Sequence, residues 1–316
     1  MAMTRKHVTV DAALAGRADK VAQHLTGKSR SEIRGLFDHG CVALNGERCT
    51  DIGAKVRNGD AFEVNYDLHT RYHEREREWE DDAFKLVFED KHLIVVDKAA
   101  GALTVPANSG ETDSVMHAIT RYLSHRGTRD RAQPVHRLDR GASGLLIFGK
   151  NREIAAELQK QFEDRMAERE YMAIVNGHLP HETGTFESYI TTSLSLQQYS
   201  TTKPGEGQLA ITHYRAVDVA RGATFVRVWL ETGRRNQIRV HFAEAGFPVL
   251  GDPRYRPDGS AHPHWRVKRL ALHAAVLGLR HPVTGQPLRV EAPMPAPMKS
   301  FLGGEKAPTA RKPGRR

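Results

Sequence analysis

Cysteine is nearly absent from this 316-residue chain, which contains only Cys41 and Cys49. Two thiols cannot build a disulfide framework, and without a CxxC pair or a Cys/His quartet there is no structural zinc pattern. Both are expected to be reduced, structural thiols. Long apolar runs are lacking too. No stretch approaches the ~20 residues that cross a bilayer, and MAMTRKHVTV lacks the apolar stretch of a signal peptide. The expectation is a cytoplasmic protein with no membrane association. No internal repeat is visible, which argues against a solenoid. The 39% hydrophobic content is enough to fill a core, and the length suits one substantial domain plus a small one.

Positive charge is in excess, at a formal +9, which suits a polyanionic partner. Its distribution says more than its total. Residues 1–66 carry 10 Lys and Arg against 8 Asp and Glu, 67–82 carry 3 against 7, 83–302 carry 29 against 22, and 303–316 carry 5 against 1. A nucleic acid would therefore be held largely by the 83–302 body. The stretch DLHTRYHEREREWEDD (67–82) has no apolar period and reads as a charged linker between two folded units. GGEKAPTARKPGRR (303–316) reads as a basic disordered tail, able to seek phosphates.

In the 1–66 unit, Ala18, Val21, Ala22 and Leu25 recur at helical spacing. Ser29 followed by Glu32 is a capping box that opens a second helix, with Ile33, Leu36 and Phe37 as its apolar stripe. Asn45-Gly46 and Asn58-Gly59 are tight-turn signals between short strands. Lys28, Arg30 and Arg34 then gather at the start of the second helix, where side-chain charge adds to the helix dipole in a surface fit for phosphates. The segments KSRSEIRGLFDHGCVALNG and AKVRNGDAFEV resemble the small alpha-L RNA-binding module shared with the fourth small-subunit ribosomal protein. That resemblance implies RNA binding through Lys28, Arg30 and Arg34, with Asn45 among the contacts.

The body mixes strand-like runs (FKLVFED, HLIVVDK, EYMAIVNGHL, TFVRVWLE, QIRVHF) with an amphipathic helix marked by Ile154, Leu158 and Phe162, an α+β pattern around one large sheet. Phe84, Phe88, Trp229 and Phe242 fall on strand patterns and are assigned to the core. His262, His264, His273 and His281 lack metal-ligand spacing. The chemistry concentrates in HRLDRGASGLLIFGK (136–150). Here His136, Arg137, Asp139 and Arg140 lie on a turn that runs directly into the apolar strand Leu145 to Phe148. Ser143 does not fit a serine-hydrolase elbow, because Gly144 follows it directly. A glycosidase is disfavoured too, since no second carboxylate is placed beside Asp139 and Asp252 in GDPRY reads as a turn cap.

The 136–150 segment resembles the HRLDxxTSGLLLxAK signature of the RluA family of RNA pseudouridine synthases. LIVVDKAAG, YMAIVNG, ETGRRNQIRVHFAEAGFPVLGDPRY and RLALHAAVLGLRHPVTG follow the family's order, so the likeness covers nearly all of residues 86–302. It implies a pseudouridine synthase fold, α+β, with a large mixed and mostly antiparallel sheet flanked by helices and loops, beside the small N-terminal αα-β RNA-binding module. It also implies isomerisation of a uridine in structured RNA, ribosomal large-subunit RNA before transfer RNA. Asp139 would be the catalytic aspartate, Arg239 its ion-pair partner, Tyr171 a ring stacked on the uracil, and Leu272 an apolar contact from the other side. His136, Arg137 and Arg140 would hold RNA or fill the space that the extruded base vacates.

The reaction breaks the bond from the sugar to N1 and remakes it to C5 with no redox change. A positioned carboxylate in a closed pocket suffices, and no metal or organic cofactor is expected, in a chain acting as a monomer. Several departures from the family pattern stand near the site. Gly141 and Ala142 replace Asp-Thr, Ala99 replaces a Pro, and Arg235-Asn236 replace Thr-His. They leave a second reading open, a catalytically silent RNA-binding or assembly protein that keeps the fold.

Overall fold

The structure, a computed structural model, describes residues 3–72, 79, 81–108, 112–203 and 205–303. The chain forms two compact units, Met1–Trp79 and Glu80–Arg316. Most of the charged segment after Tyr72 and the tail from 304 onward lie outside the described residues.

In the first unit, the helices Ala18–Thr26 and Arg30–Asp38 form where the apolar spacing places them, with Val21, Ala22, Ile33, Leu36 and Phe37 buried. The capping box is present in both directions: the Ser29 side chain accepts from the Glu32 N–H, and Glu32 accepts from the Ser29 N–H. Each satisfies a backbone donor that the helix start leaves unpaired. Asn45 adopts a left-handed φ of 53° and Gly46 one of 83°, the backbone that the Asn-Gly pair favours in a two-residue hairpin. One strand was not foreseen. Met3–Thr9 pairs antiparallel with Ala61–Asp67 and extends a four-stranded sheet. Its residues are mostly exposed, so no apolar alternation marks it in the sequence. The linker also begins later than residue 67, since the Tyr72 hydroxyl accepts from the Asp67 N–H and its ring packs edge-on to His39.

The second unit is built on a sheet of eleven strands among the described residues. Its middle runs Ala223–Leu230, Glu168–Asn176, Leu272–Arg280, Ser143–Gly149, Leu93–Lys98. All of these neighbours are antiparallel except Ser143–Gly149 against Leu272–Arg280, which is parallel, so the sheet is mixed and mostly antiparallel. Ser143–Gly149 is buried along its whole length, consistent with its unbroken apolar run. Leu145 and Ile147 share a core with Leu93, Val95, Leu277 and with Ile154 and Leu158 of the helix Arg152–Glu163. Each such side chain contributes roughly 1.5–3 kcal/mol on burial.

Gly144 is required here. Its φ is +114°, and a Cβ would lie 2.2 Å from the Ala274 carbonyl oxygen. That close approach binds the strand that follows Asp139 to the strand carrying Leu272.

The largest correction concerns QIRVHF, expected as a strand. Gln237–Glu244 is an α-helix, opened by Asn236 at a left-handed φ of 59°. Every residue from Gln237 to Ala243 is buried, so this run presents no face to solvent. The alternation of Ile238, Val240 and Phe242 then imitates a strand period. Arg239 is thereby carried in the first turn of a buried helix.

Candidate active site and RNA surface

Asp139 stands on a tight turn in which the Ala142 N–H donates to the Asp139 carbonyl at 3.1 Å. Outside contacts fix this turn. Buried Thr104 Oγ1 donates to the Leu138 carbonyl at 2.9 Å and accepts from its N–H at 3.1 Å. The Gly101 N–H reaches the Arg140 carbonyl at 2.7 Å, and the Leu270 N–H reaches that of Gly141 at 3.1 Å. With its backbone held on both sides, the carboxylate is aimed by the fold and not by its own rotamer freedom alone.

Arg239 donates from Nη1 to Asp139 Oδ2 at 3.0 Å and to Asn236 Oδ1 at 2.9 Å. Its other edge grips Asp252 in a two-point pair, Nε to Oδ2 at 2.7 Å and Nη2 to Oδ1 at 2.8 Å. Asp252 also accepts from the N–H groups of Arg254 and Tyr255. The turn-cap reading of Asp252 is therefore incomplete: the carboxylate caps its turn and also holds the guanidinium that Asp139 touches. A second carboxylate does stand at the site, bonded to the shared cation and not to Asp139. Burial alone would lower the pKa of Arg239, but the two carboxylates outweigh it and hold the value above the ordinary one. The cluster is anchored further by Asn236 Nδ2, which donates to Gln198 Oε1 at 2.7 Å and to the Tyr255 hydroxyl at 3.0 Å.

Tyr171 and Leu272, 8% and 4% exposed, line one recess together with Asp139 and Arg239. Burial raises the Tyr171 pKa, so the hydroxyl stays protonated at neutral pH. The recess opens beside a cleft of about 520 Å³ that Asp139 and Tyr171 also line, with Arg137, Arg169, Arg234 and Arg235 among its walls. Sequence reasoning passed over Lys98, the last residue of its strand. It is fully buried and its Nζ donates to the carbonyls of Ala99 at 2.8 Å, Ala102 at 2.7 Å and Arg140 at 3.3 Å. Burial pulls its pKa down to about 7, with the charge of Asp139 opposing that fall. A lysine closing a strand of buried residues was the available signal.

The three basic residues flanking Asp139 separate. Arg137 is exposed and lines the cleft. Arg140 turns away to donate from Nε to the Gly101 carbonyl at 3.0 Å. His136 lines the cleft without being a cation: burial lowers its pKa to about 3, its ring stacks on Phe162 at 4.7 Å, and its Nε2 accepts from the Ile147 N–H at 3.3 Å.

In the first unit, Arg30 and Arg34 line a hollow with Arg17 and Lys20. Lys28 stands apart, its ammonium donating to Glu32 at 3.0 Å and lying 5.3 Å from the centre of the Tyr66 ring. The amide of Asn45 is engaged within the fold, donating to Asp60 at 3.0 Å and accepting from the Ala61 N–H at 2.9 Å. It holds the hairpin, and the exposed amide keeps one N–H and one lone pair beyond these two bonds.

Comparison with known proteins agrees with this geometry. A family model described as RNA pseudouridylate synthase matches residues 92–244, and an S4 domain model matches residues 17–62. The chain is 35% identical over 309 residues to ribosomal large subunit pseudouridine synthase D of Zymomonas mobilis, covering 94% of this chain and 96% of that one. It is 34% identical to the protein of the same name from Pseudomonas aeruginosa, over 88% of each.

The chain belongs to the RNA pseudouridylate synthase family.

The synthase also shares its fold with human RNA pseudouridylate synthase domain containing 4, at a TM-score of 0.57 and 20% identity over 69% of this chain and 91% of that chain. Three of its departures from the family signature now have physical accounts. Where the pattern carries Asp, a Cβ on Gly141 would lie 2.9 Å from Leu270 Cγ, so the space is filled by Leu270. Where the pattern carries His, Asn236 supplies the left-handed helix cap and an acceptor for Arg239. Ala142 is buried and lines the recess. Where the pattern carries Pro, the Ala99 N–H donates to the Ala83 carbonyl at 2.8 Å, a bond that proline cannot make.

Proposed function

We propose that this synthase converts a specific uridine of structured large-subunit ribosomal RNA to pseudouridine, with Asp139 as the attacking carboxylate. The observation that carries the site is the buried cluster Asp139–Arg239–Asp252 beside Tyr171 and Leu272. The choice of RNA follows from the names of the relatives that span almost the whole chain.

In this reading the target nucleotide leaves its stack, at a cost of a few kcal/mol that phosphate contacts offset. The uracil enters the recess, Tyr171 faces one side of the ring and Leu272 the other. The glycosidic bond to N1 breaks, the base turns while held, and the sugar carbon bonds to C5. The C5 proton leaves and N1 gains one. An Asp139 oxygen bonds to the sugar carbon as its bond to N1 breaks and is displaced as the bond to C5 forms, which divides this exchange into two steps. Arg239 keeps that carboxylate in place throughout. The cations of the two units hold the RNA. The synthase works in the cytoplasm as a monomer and takes no metal.

The decisive measurement is tritium release from large-subunit ribosomal RNA made with [5-³H]uridine. Wild type should release label at one position, and Asp139→Asn should lower the rate by at least about 1,000-fold, as removal of a nucleophile does, while RNA binding persists. Unchanged release from Asp139→Asn would remove the catalytic assignment. Release from transfer RNA and not from ribosomal RNA would move the substrate to the second class.

A further inference from the structure

Arg169 lies two residues before Tyr171 on the strand Glu168–Asn176, and both side chains line the cleft. It is 8% exposed. Its Nη2 donates to the carbonyls of Leu230 at 3.1 Å and Glu231 at 3.0 Å. Its Nε is buried with no partner, and its guanidinium lies 5.5 Å from the centre of the Phe162 ring. Nη1 lies against Gly233 on the cleft wall, where a Cβ would come within 2.6 Å of it.

What Arg169 lacks, among the described residues, is an anion. The neighbouring carboxylates have other cations: Glu231 pairs with Arg165 and His213, Glu170 with Arg227, and Glu168 with Arg289. Of the other buried cations of this unit, Arg239 is matched by two carboxylates and Lys150 by Glu89 at 2.6 Å, while Lys98 gives its ammonium to three backbone carbonyls and leaves no donor atom unpartnered. Holding a guanidinium out of water without a countercharge is unfavourable, and burial, reinforced by Arg234, lowers its pKa. A function that supplies the missing charge offsets that cost. The anion that RNA brings is the phosphodiester, and a guanidinium fork matches its oxygens.

We propose that Arg169 receives the backbone phosphate adjacent to the target uridine, and so sets the register of that nucleotide over Asp139 and Tyr171. It is a positioning residue, and the proposal rests on the reading of the cleft as the uridine site. Arg137, Arg165, Arg234 and Arg235 line the same cleft and would hold the flanking strand. The burial of Arg169 distinguishes it: its contact forms only when the nucleotide is inside the cleft.

The test uses synthetic RNA hairpins containing the uridine mapped by label release, with an uncharged methylphosphonate placed 5′ or 3′ to it. One of the two replacements should raise the wild-type KM roughly 10- to 100-fold, the range for losing a hydrogen bond to a charged group. Arg169→Gln should show that same loss on the all-phosphate hairpin and no further loss on the modified one. Arg169→Lys should recover part of it. Binding measured against salt should show a slope shallower by about one phosphate contact in Arg169→Gln and an unchanged slope in Arg169→Lys. The proposal is overturned if neither methylphosphonate affects wild type, or if the modified hairpin penalises Arg169→Gln as much as wild type. Should Arg169→Gln fail to fold, wild type and Arg169→Lys decide from the same two hairpins. If wild type releases no label from any large-subunit hairpin, the substrate reading fails, and the salt slopes alone decide the role of Arg169.

Discussion

Arg239 in the large unit and Lys28 in the small one are both cations with a carboxylate partner, and they differ in what surrounds them. The side chain of Arg239 is 9% exposed and that of Asp252 is fully buried, and four donations fix the guanidinium. Lys28 meets a single carboxylate, Glu32, in a part-buried pair, and the neighbouring Arg30 is exposed. Removing one member of a buried ionic cluster leaves an uncompensated charge, at a cost of about 3–5 kcal/mol. A single pair that still meets water is worth less, about 1 kcal/mol when fully exposed, and is screened by salt. The large unit thus has charges that cannot rearrange, as a reaction needs, and the small unit has charges that can engage and release RNA.

Asp252→Ala attacks the fixed cluster most directly. It should destabilise the large unit by about 3–5 kcal/mol and, by freeing Arg239 to move, lower turnover about 100-fold. Chemical denaturation and label release check the two effects separately. Wild-type values in both would mean that Asp139 and Asn236 suffice to hold Arg239, and that its rigidity does not come from Asp252.

A smaller effect is expected on acidification. Burial lowers the pKa of His136 to about 3 and those of His241 and His273 to about 4. Their folded values lie below the unfolded value of ~6.5, so the unfolded chain takes up protons first as pH falls. The stability these histidines contribute is complete above pH ~6.5 and is lost on descending toward about 4, by up to about 1.4 kcal/mol per histidine for each pH unit crossed. His241 bonds Ser188 and Thr212, each at 2.9 Å, and His241→Gln should flatten this slope. A calorimetric midpoint series from pH 7 to 4 in both proteins measures it, and identical slopes would exclude His241 as a contributor.

The smallest effect lies within the small unit. Arg30→Gln should reduce the salt dependence of RNA affinity by roughly 0.7 to 0.9 in slope, whereas Lys28→Gln should change it less because Glu32 already engages that ammonium. A larger change from Lys28→Gln would mean that the Lys28–Glu32 pair opens when RNA binds.

Much of the small unit was legible because its signals are local. Helix caps, apolar spacing and Asn-Gly turns act within a few residues, and Ser29, Glu32, Asn45 and Gly46 behave as their local chemistry requires. The motif around Asp139 was legible for the same reason, a turn that runs into a buried strand. Gln237–Glu244 was misread because a helix buried on all sides carries no amphipathic period. The second duty of Asp252 was hidden because a turn cap is complete without it. The missing countercharge of Arg169 was equally invisible, since it depends on where Glu168, Glu170 and Glu231 find partners.

From the order of residues alone it follows that a carboxylate at Asp139 sits at the head of an apolar strand, in a chain whose ordered motifs belong to one family. Which groups surround that carboxylate is a matter of how the chain folds back on itself. Asp139 and Arg239 are 100 residues apart in the chain and 3.0 Å apart in space. Ionic and hydrogen-bond energies depend on that second distance and on exclusion of water. Both are set by the crossing of the strands near Gly144 and the burial of the helix that carries Arg239.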